Sequence, residues 1–247
     1  MEFFDPATVK NIDERKRHLT IRHLLTMSAG LDWTENVSYD DPRNSEILME
    51  NHDDWAKFVI NLPMAREPGT TFLYNSGATE LLAHVFEKET GQDLGHYAEK
   101  HLFEPIGITS SYWRRTRSGM VDAVGGLFLK SEDLARIGYL FLHKGTWDGR
   151  QIVTAQWVQD SLSPALDAGD GWRYGYQWWL REGREPSERI FAARGWGMQR
   201  LVVNPRQNLV FVYTGWDIPV SQQETEIAVM QRIFAGVRPH SCDPESP

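Results

Sequence analysis

Pro68-Gly69-Thr70-Thr71-Phe72-Leu73-Tyr74-Asn75-Ser76-Gly77-Ala78-Thr79-Glu80-Leu81-Leu82 passes from a turn, through an extended piece, into a helix. Pro68-Gly69 supplies the turn, and Thr71–Tyr74 is short, branched and aromatic. Beyond Asn75-Ser76-Gly77, Leu81, Leu82, Val85 and Phe86 recur at helical spacing, and Gly91 fits the position just past a helix end. A tyrosine fixed at such a junction can project its hydroxyl into a cleft while the helix holds the backbone. With a reference pKa of about 10, it needs nearby positive charge to act as a base around neutral pH. The same spacing also fits a plain core or surface Tyr74 at a helix start.

Upstream, Thr20 is placed to cap a helix over Ile21–Met27, with Ile21, Leu24 and Leu25 on one face and Gly30 as a stop. Residues 32–52, rich in Asp, Asn, Glu and Pro, are expected to run over the surface. Asp53 and Asp54 open a helix carrying Trp55, Phe58, Val59 and Leu62. Downstream, Asp93 caps a helix with Leu94, Tyr97 and Leu102 that stops at Pro105. Ser131-Glu132-Asp133 starts another, striped by Leu134, Ile137, Leu140 and Phe141, and Thr154 caps a short one with Trp157 and Val158. From about residue 170 the pattern becomes strand-like: Tyr174–Leu180, Ile190–Arg194, Arg200–Val203 and Leu209–Thr214, the last two joined by the turn at 204–208. A final helix over 222–235 turns Ile227, Met230, Ile233 and Phe234 inward, and 236–247 is a polar tail. The expectation is one α+β domain over 1–247, with a mostly helical region (about 20–165) and an antiparallel sheet with its packing helix (about 170–235).

Composition narrows the chemistry. A net charge of -8, with only short basic runs such as Arg114-Arg115-Thr116-Arg117, argues against nucleic acid. No stretch approaches the roughly 18 apolar residues of a membrane span, and Met1–Pro6 has neither the basic start nor the apolar run of a signal peptide. Cys242 is the only cysteine, so no internal disulfide forms. There is no His-Glu-x-x-His, and His96 and His101 are badly spaced for one helix face, so no metal is expected. No dinucleotide or Walker loop is present, and no cofactor is implied. Thr26-Met27-Ser28-Ala29-Gly30 comes nearest to a nucleophile elbow but lacks its first glycine.

Several blocks together resemble the penicillin-binding-protein/β-lactamase superfamily of serine hydrolases. Thr20-Ile21-Arg22-His23-Leu24-Leu25-Thr26-Met27-Ser28-Ala29-Gly30-Leu31 is similar to the segment following the nucleophile helix. Tyr74-Asn75-Ser76 resembles the second motif, usually Tyr-x-Asn. His101–Ile108 and Gly125-Gly126-Leu127, followed by Ser131–Gly138, resemble further recurrent blocks, and Arg194-Gly195-Trp196-Gly197-Met198-Gln199 resembles the third motif. The order is that of the family, in a branch near the esterases and aminohexanoate-dimer hydrolases.

The resemblance implies a β-lactamase/transpeptidase-like fold and an acyl-enzyme reaction on a small-molecule ester, amide or β-lactam. Tyr74 would be the base or proton shuttle, and the Trp196 backbone N–H would serve the oxyanion hole, with Gly195 and Gly197 allowing close approach. Ser76 stands where the family more often has Asn, which loosens the grip on a substrate amide and favours esters or small amides. Trp172, Tyr176 and Trp178 are candidates for an apolar acyl wall or for core packing. The family's Lys-Thr-Gly is absent, and no serine is followed by lysine three positions later, so the Ser-x-x-Lys nucleophile is missing. Only 19 residues precede the Thr20 block, which leads us to expect an N-terminally incomplete domain, inactive alone and marginally stable. Its sheet would have an unpaired edge, to be filled by a complementing N-terminal segment. A relative that binds a ligand or partner without catalysis is the alternative.

Overall fold

The computed structural model describes residues 3–5, 7–215 and 224–237; Cys242 and the side chain of Ile227 lie outside the described residues. The helical part begins with α1 (Glu14–Arg17) and α2 (Ile21–Leu25). Thr20 caps α2 as its sequence implies, accepting from the His23 N–H while His23 Nδ1 accepts from Thr20. The helix ends at Leu25, earlier than expected, and Ile21 is exposed whereas Leu24 is buried.

Residues 32–52 do not run over the surface throughout. Trp33 and Met49 are buried, and Asn44 caps α3 (Ser45–Glu50) by accepting from Glu46 and Ile47 N–H. Two apolar anchors in a polar segment are too few to show a helical stripe. Asp54 caps α4 (Trp55–Ile60), and Asn75 caps α5 (Ser76–Thr90), which closes on Gly91. A Cβ on Gly77 would lie 2.6 Å from Val59 Cγ2 and 3.0 Å from Trp33, so only glycine lets the head of α5 come this close.

Asp93 caps α6 (Leu94–Ala98), which continues through a π turn (Glu99–Phe103) and a 3-10 turn (Glu104–Ile106). Pro105 does not stop the chain, because it sits in the first turn of the 3-10 helix, where its missing N–H costs nothing. Two antiparallel pairs were not foreseen: β1 (Tyr112–Trp113) with β2 (Leu127–Phe128), and β3 (Thr146–Trp147) with β4 (Arg150–Gln151). Between these pairs lies α7 (Ser131–Leu142), and α8 (Ala155–Ser161) follows, capped by Thr154, with Val158 buried and Trp157 exposed.

The sheet contains β5 (Leu166–Gly169), β6 (Trp172–Tyr174), β7 (Trp179–Arg181), β8 (Ile190–Gly195), β9 (Gln199–Asn204) and β10 (Leu209–Tyr213). Spatial order follows chain order, and every neighbouring pair is antiparallel. The last described helix is α9 (Glu224–Gly236). One face buries Leu180, Phe191, Leu201 and Val203 against Leu134 and Phe141 of α7. Tyr174 and Trp179 instead meet Phe72 and Tyr74 of the helical part. Among the described residues no helix is long and apolar enough to cross a membrane.

The single aromatic strand expected over Tyr174–Leu180 is two strands, because the chain reverses around Gln177, whose φ is 62°. Gln177 also ties the two regions together. Its N–H donates to Leu25 O at 3.0 Å, its Oε1 accepts from Thr79 Oγ1 at 3.2 Å, and its Nε2 approaches Leu24 O at 3.4 Å. Gln177→Ala keeps the backbone bond and loses the side-chain ones, so stability should fall by about 1–2 kcal/mol. Urea midpoints check this, and an unchanged midpoint would show that these contacts contribute nothing.

Candidate active site

Tyr74 sits immediately before α5, between its head and the sheet. Its ring stacks on Trp179 of β7 at 5.8 Å between centroids and meets Tyr174 edge-on at 6.5 Å. The Arg194 guanidinium of β8 lies 4.9 Å from the centroid of the same Trp179 ring and 5.5 Å from that of Trp172. Burial pushes the Tyr74 hydroxyl up to about 12, Glu35 and Glu46 push the same way, and Arg194 opposes them. In this setting Tyr74 is a neutral phenol at physiological pH, a proton donor.

Glu35 was not expected here. Its Oε2 accepts from Trp33 Nε1 at 2.5 Å and from the Ser76 N–H at 2.8 Å, while Oε1 accepts from Ser76 Oγ at 3.1 Å. The carboxylate therefore sits at the head of α5, where the helix dipole favours an anion. Burial raises its pKa and these hydrogen bonds oppose the rise. Ser76 is buried, with its hydroxyl proton directed at Glu35. Trp33 was the available signal: a large indole two residues before Glu35 is out of place on a surface excursion.

Glu46 on α3 is pushed up to about 7, first by burial and then by Glu35 and Glu50, and it shares a hydrogen bond with Tyr39. The Tyr39 ring meets Trp196 edge-on at 6.1 Å. Trp196 lies in the β8–β9 hairpin loop, whose stems pair at Gly195 and Gln199. It is 57% exposed. Gly195 is extended at φ -116°, whereas Gly197 (φ 66°) and Met198 (φ 68°) are both left-handed. These two consecutive left-handed residues turn the chain sharply between the stems of β8 and β9.

The two predicted clusters, Tyr74 with Ser76 and Gly195-Trp196-Gly197, are thus linked through side chains. Arg194 and Trp179 connect them along the sheet. On the helical side Tyr39 meets Trp196 and shares a hydrogen bond with Glu46, while Glu35 holds Ser76. A cavity of about 350 Å³ lined by Phe3, Phe4, Leu19, Ile21, Leu24 and Leu81 includes neither cluster. Trp178 packs in the core against Phe141 and Phe191, while Tyr176 contacts Trp157. Among the described residues no group of His, Cys, Asp or Glu is arranged to hold a metal.

The family model described as Beta-lactamase matches residues 8–222 of this chain. The chain belongs to the beta-lactamase family. The 6-aminohexanoate-dimer hydrolase of Paenarthrobacter ureafaciens is 25% identical over 222 residues, 81% of this chain and 55% of that protein. The monacolin J acid methylbutanoyltransferase of Aspergillus terreus is 31% identical over 114 residues, 44% of this chain and 26% of that protein. The chain therefore spans only about a quarter to half of these beta-lactamase-family relatives. A Bacillus anthracis structure provisionally described as a 6-aminohexanoate-dimer hydrolase superposes with a TM-score of 0.74 at 23% identity, over 87% of this chain and 60% of that one. A penicillin-binding protein from Bacillus halodurans gives 0.64 at 20% identity, over 89% and 74%. These likenesses establish the α+β, β-lactamase/transpeptidase-like fold.

Proposed function

We propose that this chain forms the tyrosine and oxyanion sides of a serine-hydrolase site that cleaves a small-molecule ester, small amide or β-lactam through an acyl-enzyme. The observation carrying the reading is the pairing of a buried neutral phenol, Tyr74, with the Gly195-Trp196-Gly197 hairpin loop, left-handed at Gly197, through Arg194 and Trp179. In this reading the Trp196 N–H stabilises the negative charge of the tetrahedral intermediate, with Gly195 and Gly197 leaving room for the substrate. Tyr74 passes its proton to the leaving group and regains one from the hydroxyl of the attacking nucleophile. Ser76 has spent its proton on Glu35 and presents lone pairs, so it favours a substrate N–H or O–H over a carbonyl.

The nucleophile, in this reading, comes from a complementing segment that carries Ser-x-x-Lys, and the chain alone does not turn over. Two observations support this: no serine in the sequence has lysine three positions on, and β10 has β9 as its only strand neighbour among the described residues. The test is to express the chain with and without any in-frame upstream coding sequence, then apply a fluorophosphonate probe and a chromogenic ester. Labelling and turnover of the longer form alone are expected. Stoichiometric labelling of the 247-residue form would place the nucleophile among its own serines. Ligand binding with no labelling of either form would make this a non-catalytic relative.

A further inference from the structure

The loop that carries Trp196 is held by a residue outside it. Arg200 on β9 is buried, and its Nη1 donates to both Gly195 O and Gln199 O at 2.8 Å. Its Nη2 lies 3.6 Å from Met198 Sδ. The two carbonyls belong to the two stems of the hairpin loop, and the sulfur to its last residue. Arg194 and Arg200 are directly opposed across the strands, yet Arg194 goes to Trp172 and Trp179 while Arg200 goes to the loop. Between the clamped stems, Met198 takes a left-handed backbone (φ 68°), which costs a residue with a side chain free energy that glycine does not pay.

We propose that Arg200 is a positioning residue: its guanidinium clamps both stems and the Met198 sulfur, and so keeps the Trp196 N–H in the geometry of the oxyanion cradle. The catalytic consequence rests on the function proposed above; the clamp itself rests on these contacts alone. A planar fork suits the task because it reaches several acceptors in fixed directions, whereas a lysine ammonium is a single point donor. Glycine at position 198 would take the left-handed backbone without restraint. The proposal therefore predicts that glycine there makes the clamp partly dispensable.

The test compares Arg200→Met, Arg200→Lys, Met198→Gly and the Met198→Gly/Arg200→Met double variant. Amide hydrogen exchange over 195–199 is followed in the 247-residue chain and ester turnover in the complemented form. Arg200→Met should speed exchange in the loop about tenfold without altering the rest of the sheet. It should lower kcat by about a hundredfold with KM nearly unchanged, as for a displaced oxyanion donor. Arg200→Lys should fall between parent and Arg200→Met. The double variant should recover about a tenth or more of the parent kcat, since glycine supplies the turn. Wild-type loop exchange in Arg200→Met, equal acceleration across β8 to β10, or no recovery with Met198→Gly would each overturn the proposal. If no form hydrolyses ester, the exchange data still decide the clamp, and the failure falls on the proposed function.

Discussion

Phenylalanine at position 74 should lower ester turnover of the complemented form proposed above by about 10²–10⁴-fold while changing stability by less than about 1 kcal/mol. The stack on Trp179 and the edge contact with Tyr174 are made by the ring, so Tyr74→Phe retains them. What it loses is the hydroxyl, the one group at this position able to move a proton. Because that hydroxyl keeps its proton up to about pH 12, the parent should show no alkaline loss of activity attributable to Tyr74 below about pH 10. Steady-state kinetics beside a thermal melt make the check. Turnover within twofold of the parent would remove Tyr74 from the chemistry.

Replacing Glu80 by glutamine should stabilise the protein at pH 8 by on the order of 3 kcal/mol and leave it nearly unchanged near pH 4.5. Glu80 is a fully buried carboxyl on α5, pushed from 4.5 up to about 7 by burial, with Asp122, Glu87 and Asp54 adding to the rise. Its one opposing contact is the Ala123 N–H, which donates to Oε2 at 3.4 Å. Between those two pH values the folded state holds a proton that the unfolded state has released. Stability contributed by this group therefore falls as pH rises through the window and is flat above it. Glutamine keeps an acceptor for Ala123 and has no charge to bury. His23 and His84, lowered by burial, act in the opposite sense below about pH 6.5. The difference between Glu80→Gln and the parent is thus the quantity to measure, by urea denaturation at both pH values. No gain at pH 8 would show that Glu80 is solvated in solution.

Where local chemistry decides structure, the sequence was legible. Thr20, Asp54, Asp93 and Thr154 cap helices where expected, because a side-chain oxygen satisfying nearby N–H groups is a matter of a few residues. Strands β8, β9 and β10 were visible through branched and aromatic residues. Strand β5, Leu-Asp-Ala-Gly, has almost none, and two-residue strands such as β1 and β3 carry no period at all. At the site, Tyr74 and the Gly195-Trp196-Gly197 loop emerged from resemblance to a family, not from periodicity. Glu35 and Arg200 stayed hidden for a physical reason: each is a charged side chain whose burial is made tolerable by partners that only the folded chain supplies. For Glu35 that partner, Ser76, lies 41 positions away.

The chain-order sheet has a consequence for how the molecule is assembled. None of the connections from β5 to β10 spans a distant segment, so each closure costs little entropy and the sheet is expected early in refolding. Joining Gln177 to Leu24 instead closes a loop of 153 positions, and that encounter should set the pace. The last place to become native would then be the seam where the rings of Tyr74 and Trp179 come face to face.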